Sequence, residues 1–179
     1  MNSIKALVGN TYATKKNGEI YKLSFRKHET IIDVEYDDGS SGTEPGLVWR
    51  LYSPAGDIVG SGYFAYCETS GYIRAEDANI EPAHRGKGLY GDVLALVNQH
   101  VGLVSGQEYH SRLSDEAKRI YERFEEAGLA RHMWKHGGEY IVEPKALHAR
   151  FAEIVPLGPT ETVRFAPVKE VDLASPEIG

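Results

Sequence analysis

The sequence predicts a mixed α+β fold, a single domain with a central, mostly antiparallel, twisted sheet flanked by a few helices. Three observations predict it. Alternating apolar and polar runs succeed one another through the first half of the chain, with connections too short for βαβ crossovers. A strand-like stretch ending near Pro82 then passes through a basic, glycine-rich turn into a segment with helical spacing, Leu89, Val93, Leu96, Val97 and Val101. Beyond it come a second amphipathic segment and a hairpin signal.

The elements follow in order. Residues 4–8 suit a short strand or a helical turn, and Lys15-Lys16-Asn17-Gly18 reads as a turn. Tyr21, Leu23 and Phe25 alternate with Lys22, Ser24 and Arg26, and Ile32, Val34 and Tyr36 alternate with Asp33 and Glu35. Residues 37–42 read as a loop and 48–52 as a third strand, closed by the turn Pro54-Ala55-Gly56-Asp57. A fourth strand spans 58–66, where Gly60 and Gly62 mark a bulge or a close backbone approach. Thr69-Ser70-Gly71 turns into a fifth at 72–80.

After the central helix, residues 101–106 end it and 107–112 read as another strand. Ser114 is an N-cap followed by acidic first-turn residues, Asp115 and Glu116. Ala117, Ile120, Tyr121, Phe124 and Ala127 form one apolar face, which Gly128 stops. Residues 131–134 and 140–142 flank His136-Gly137-Gly138 as a hairpin, and 144–154 suit a last short helix. Four prolines and no sustained period over 156–179 place the domain at 1–155, followed by a tail that is extended over the surface or partly disordered.

Composition bounds the function. The 41% apolar and 26% charged content is that of a soluble globular chain. A net charge of −6 leaves no broad basic face for nucleic acid, and anionic membrane surfaces should repel it. The single cysteine, Cys67, excludes an internal disulfide framework and a multi-cysteine zinc site, and suits a reducing cytoplasm. No metal site is expected. No apolar run approaches the ~18 residues of a membrane span, and no signal-type apolar region opens the chain.

The stretch His84-Arg85-Gly86-Lys87-Gly88-Leu89-Tyr90-Gly91 carries the chemistry. At a helix start the first-turn N–H groups point outward and the macrodipole adds roughly half a positive charge, while glycines let the backbone approach phosphate oxygens. Gly86, Gly88 and Gly91 with Glu108 also fit a dinucleotide-binding fingerprint. Against that reading, residues 74–79 are too polar for a strand buried on both faces, residues 82–85 separate strand from glycines, and the earlier strands read antiparallel.

Two motifs resemble the GCN5-related N-acetyltransferase (GNAT) superfamily. Ile80-Glu81-Pro82-Ala83-His84-Arg85-Gly86-Lys87-Gly88-Leu89 is similar to its strand and pyrophosphate-loop signature, and Ser114, Ala117, Ile120-Tyr121 and Gly128-Leu129 resemble its second signature helix. The likeness runs from about residue 72 to 142, and the earlier strands agree only in kind. The sequence departs from the family at Tyr90, where Gly or Ala is usual, in the longer spacing from Tyr121 to Gly128, and in having no clear helical pair between its first strands.

The resemblance implies acetyl-coenzyme A as cofactor and direct attack by a neutral primary amine, carried by a small molecule or a protein. It assigns the pyrophosphate to backbone amides of Arg85, Gly86, Lys87, Gly88, Leu89, Tyr90 and Gly91, with Arg85 and Lys87 adding charge. It assigns the pantetheine arm to pairing along Ala78, Asn79 and Ile80, and the leaving-group acid to Tyr121, whose position also suits a core residue with a satisfied hydroxyl. Glu76 is the candidate base. Strand alternation puts Glu76, Ala78 and Ile80 on one face and Asp77, Asn79 and Glu81 on the other. His84 and His110 are alternative proton carriers, and Cys67 reads as a buried strand thiol. A catalytically inactive binding protein on the same fold stays open as an alternative. So does another phosphate-ligand protein, and exposed edge strands with a loose tail are compatible with a homodimer.

Overall fold

In the computed structural model, residues 4–35, 41–66, 71–106, 113–134 and 137–165 are described, without the side chains of 28–35, 41–45 and 66. β1 (Asn10–Lys16) and β2 (Glu19–Glu35) form a hairpin. Its turn is Asn17-Gly18, with φ of 51° and 81°, the left-handed pair that matches the twist of a two-residue hairpin. β3 (Ser41–Tyr52), β4 (Ile58–Tyr66) and β5 (Tyr72–Ile80) continue as the antiparallel meander the alternation predicts. The two patterned runs at 21–25 and 32–36 belong to one long strand, β2, whose register slips between His28 and Ile32. β3 begins at Ser41, ahead of the expected 48, because Ser41 to Glu44 pair with the far end of β2.

α1 (Leu89–Asn98) follows the glycine-rich turn and is almost wholly buried. β6 (Gly102–Val104) then pairs with β5 in parallel, Tyr72 to Gly102 and Arg74 to Val104, the one parallel pairing among the described residues. The expectation that residues 101–106 merely end the helix is therefore corrected. Leu103 and Val104 are buried within the sheet, and Gly102 lets the Tyr72 ring lie against its Cα. The strand expected at 107–112 lies outside the described residues.

α2 (Asp115–Glu126) is capped as predicted, with Ser114 Oγ accepting from Ala117 N–H at 3.2 Å. It stops at Gly128, φ 75°, where Leu129 N–H reaches Phe124 C=O and Gly128 N–H reaches Glu125 C=O. β7 (Arg131–Met133) and β8 (Glu139–Val142) are the terminal hairpin, and α3 (His148–Phe151) is the short helix expected within 144–154.

One boundary moves. Val155–Pro159 forms β9, antiparallel to β1, and Thr11 Oγ1 lies 2.9 Å from Thr160 Oγ1. The sheet thus extends past residue 155, because prolines tolerated on an edge strand do not end the fold. Residues 166–179 lie outside the described residues. Among the described residues the sheet runs β7-β8-β6-β5-β4-β3-β2-β1-β9, nine strands with α1 and α2 packed against it. Trp49, Tyr21, Phe25, Phe64, Leu23, Leu47 and Leu51 fill its buried side. No helix among the described residues is long and apolar enough to cross a membrane.

Candidate active site

Gly86 and Gly88 have φ of 75° and 76°, a region that L side chains rarely adopt. That backbone carries the chain from the 3₁₀ turn Pro82–His84 into α1, with Gly88 as its N-cap. The first intrahelical bond runs from Asp92 N–H to Gly88 C=O at 3.2 Å. The amides of Leu89, Tyr90 and Gly91 precede it and have no helical acceptor. Nothing lies within 4 Å of where a Cβ on Gly86 would sit, so the loop faces open space. An anion cradle of free N–H groups is what this geometry provides.

The side-chain charge around that cradle is arranged differently from the expectation. Arg85 folds back on its own strand, donating from Nε to Ile80 C=O at 2.6 Å and from Nη2 to Asn79 Oδ1 at 3.5 Å, with Glu116 at 3.9 Å. Lys87 donates to Tyr21 Oη at 2.9 Å and Glu19 Oε2 at 3.2 Å. Hydrogen bonds to Tyr21 and Glu19 raise the Lys87 pKa, and Lys87 in turn holds the Glu19 carboxyl below the usual carboxylate value. His84 Nδ1 shares a 2.9 Å hydrogen bond with the same Tyr21 hydroxyl, which turns this candidate proton carrier toward β2.

Two further cations, which sequence reasoning missed, stand beside the glycines. Lys16, at the end of β1, and Arg150, on α3, both bind the buried carboxylate of Asp92, at 2.8 Å and 3.6 Å. Thr14 Oγ1 donates to the same carboxylate at 2.5 Å. Arg150 Nη2 and Lys16 Nζ lie 3.7 and 3.9 Å from where a Cβ on Gly88 would be. Asp92 carried a signal that went unread, an acidic residue on the buried side of a first helical turn. Lys16 and Arg150 carried none, because only the β1–β2 hairpin and α3 bring them there.

Tyr90 departs from the resembled signature without blocking the loop. Its ring turns away to Trp49, at 6.1 Å between centroids, and its amide stays in the first helical turn. Its hydroxyl neighbours that of Tyr121 on α2. Burial first, then Tyr90, push the Tyr121 phenol well above 10.0. The approach falls short of hydrogen-bond geometry, and Tyr121 Oη is buried without a partner. Tyr121 also stacks on Tyr140 of β8, with centroids 5.6 Å apart. An aromatic series Trp49–Tyr90–Tyr121–Tyr140 therefore spans from β3 to β8.

β5 pairs with β6 at Tyr72, Ile73 and Arg74, and residues 107–112, which follow β6, lie outside the described residues. Farther along β5, Ala78 and Asn79 are exposed and Ile80 is half-buried. Between β4 and β5 the register slips, Tyr63 opposing Asp77 and Phe64 opposing Ala75, which leaves Glu76 as the extra residue of a bulge. Simple alternation is overturned. Glu76 and Asp77 both act on Tyr63, raising its phenol after burial does, whereas Ala78 pairs with Gly62 and Ile80 with Gly60. Glu76 thus shares a side with Asp77, 3.9 Å from Arg74 Nε, instead of with Ala78 and Ile80. Cys67 and His110 lie outside the described residues.

No protein-family model and no curated protein sequence matches the chain. Solved structures do. A candidate acyl-CoA N-acyltransferase from Klebsiella pneumoniae subsp. pneumoniae MGH 78578 is similar over 55% of this chain and 72% of its own, at 20% identity and a TM-score of 0.42. Nourseothricin acetyltransferase is similar over 80% and 91%, at 18% identity and a TM-score of 0.40. A candidate acetyltransferase of the GNAT family from Desulfovibrio desulfuricans is similar over 63% and 68%, at 18% identity and a TM-score of 0.37. At these values the likeness carries no inference about activity or acceptor.

Proposed function

We propose that the chain is an acyl-coenzyme A-dependent N-acyltransferase, with acetyl-coenzyme A as donor and a primary amine as acceptor. The observation that carries this reading is the pair of left-handed glycines, Gly86 and Gly88, opening a cradle of first-turn amides at the start of α1. A diphosphate fits that cradle, and an extended arm fits along β5 at Ala78, Asn79 and Ile80. When bound, the cofactor supplies an activated thioester.

The chain's own residues then do the following. The amides of Leu89, Tyr90 and Gly91 hold the diphosphate, with Lys16 and Arg150 as nearby cations. Arg85 and Lys87 position the loop by fastening it to β5 and to β2. Tyr121, kept neutral by burial, donates its proton toward the leaving sulfur. Glu76, at the bulge, accepts a proton from the incoming amine, directly or through solvent.

Calorimetric titration with acetyl-coenzyme A tests the reading, followed by free-thiol detection over pools of amines. Saturable binding lost in an Arg85→Ala, Gly88→Glu double variant supports it. No binding by the folded wild-type chain at millimolar cofactor sinks it. A second reading, a cofactor-free binding protein on the same fold, is favoured by one observation: both loop cations, Arg85 and Lys87, already have carboxylate neighbours. The same titration separates the two.

A further inference from the structure

Trp49 is fully buried on β3, yet its indole Nε1–H has no hydrogen-bond partner. A buried N–H is normally satisfied, so this orphan asks for an acceptor. Three facts fix where this donor sits. A Cβ on Gly62 would lie 2.6 Å from Nε1, so the indole nitrogen crosses β4 at the one residue that leaves it room. The Asp77 carbonyl oxygen crowds the same position, so the nitrogen reaches β5 beside the Glu76 bulge. The Tyr90 ring lies beside the indole, and its hydroxyl responds to Asp77 and to Tyr121. Tyr121 Oη is likewise a buried donor without a partner. Two unused donors of this kind thus flank Tyr90.

We propose that Trp49 Nε1–H binds the acyl oxygen of the thioester, while Tyr121 serves the adjacent sulfur. The proposal rests on the acyltransferase reading above. It makes Trp49 a ligand-binding residue contributed by β3, two strands away from the cofactor strand. Gly62 is the residue that admits it, since any side chain there would collide with the indole and with the Asp77 carbonyl. An acyl group reaches this donor only by its carbonyl, so recognition depends on that oxygen and not on the length of the coenzyme.

The test compares acetyl-coenzyme A with S-ethyl-coenzyme A, which has the same shape but no carbonyl oxygen. Wild type is expected to bind the acetyl form about five- to tenfold more tightly, the worth of one neutral hydrogen bond at a buried site. Trp49→Phe should reduce that preference to less than about twofold, whatever its effect on binding of either ligand alone. An undiminished preference in the variant overturns the proposal. Where Trp49→Phe fails to fold, the wild-type indole ¹⁵N–¹H resonances answer the same question. The chain has two tryptophans, and Trp134 is 68% exposed and serves as the control. The Trp49 signal should move downfield with acetyl-coenzyme A and stay put with the thioether, and equal shifts with both overturn the assignment. Thioether binding without discrimination refutes Trp49 alone, whereas failure to bind either form refutes the acyltransferase reading beneath it.

Discussion

Arg150 Nη1 fills the space that a Cβ on Gly91 would occupy. The contact reaches across the molecule to position 91 inside α1, where alanine is otherwise the better helix former. In Gly91→Ala the guanidinium must withdraw from the Asp92 carboxylate and from the face of Phe124, 6.0 Å from its ring centre. Denaturant unfolding should register a loss of no more than about 1 kcal/mol, since a partly exposed guanidinium can swing aside. In an Arg150→Ala background the same change should reverse sign and stabilise by up to about 1 kcal/mol. Additive values around that cycle would show that the contact does not explain the glycine.

Gly62 and Gly86 should respond differently to alanine. At Gly86 there is open space and only the φ of 75° to strain, so Gly86→Ala should cost roughly 1–2 kcal/mol. At Gly62 the obstacle is the Asp77 backbone carbonyl as well as the Trp49 ring, neither of which can swing aside. A loss of about 3 kcal/mol is expected for Gly62→Ala, at the upper end of overpacking effects. Equal unfolding midpoints for the two variants would contradict the geometry.

Asp92→Asn should trade stability for anion affinity. The carboxylate is buried and joins Thr14, Lys16 and Arg150, so removing its charge leaves two cations uncompensated. Denaturation should show a loss of about 3 kcal/mol. Freed cations beside Gly88 should meanwhile bind inorganic diphosphate more tightly, with a steeper dependence on salt. Weaker diphosphate binding in the folded variant would mean that Lys16 and Arg150 do not face the ligand.

Alkaline pH should destabilise the fold through its buried phenols. Burial raises Tyr121 and Tyr90 above their ordinary value of 10.0. Above pH 10 the unfolded chain therefore gives up protons that the folded chain retains, and stability falls as pH rises toward the folded values. Below pH 10 the contribution is complete. A series of unfolding midpoints from pH 8 upward should be flat and then decline. Tyr121→Phe should make the decline shallower, and an unchanged slope would refute its burial as the cause.

Much of the fold was legible because its physics is local. Alternation in 19–35 and 48–66, the Asn17-Gly18 turn, the Ser114 cap and the Gly128 stop all act within a few residues of themselves. The short strand β6 was misread because three apolar residues after a helix carry no period of their own. β9 was missed because Pro156 and Pro159 look like breakers, and only an edge position beside β1 makes them tolerable. At the site, the glycine turn announced itself, but its charge partners did not. Glu19, Lys16, Asp92 and Arg150 meet through the hairpin, α1 and α3, and the bulge that swings Glu76 to the side of Asp77 is a property of pairing with β4.

The Asp92 cluster also has a history within each folding event. Thr14 and Asp92 are 78 residues apart, and Arg150 arrives on α3, just before the strand that closes against β1. Such long loops close late, after the meander has formed. The cradle's cations should therefore be absent from the rate-limiting ensemble. A ligand that needs them should prolong the life of the native protein by slowing its unfolding, and leave the speed of refolding untouched.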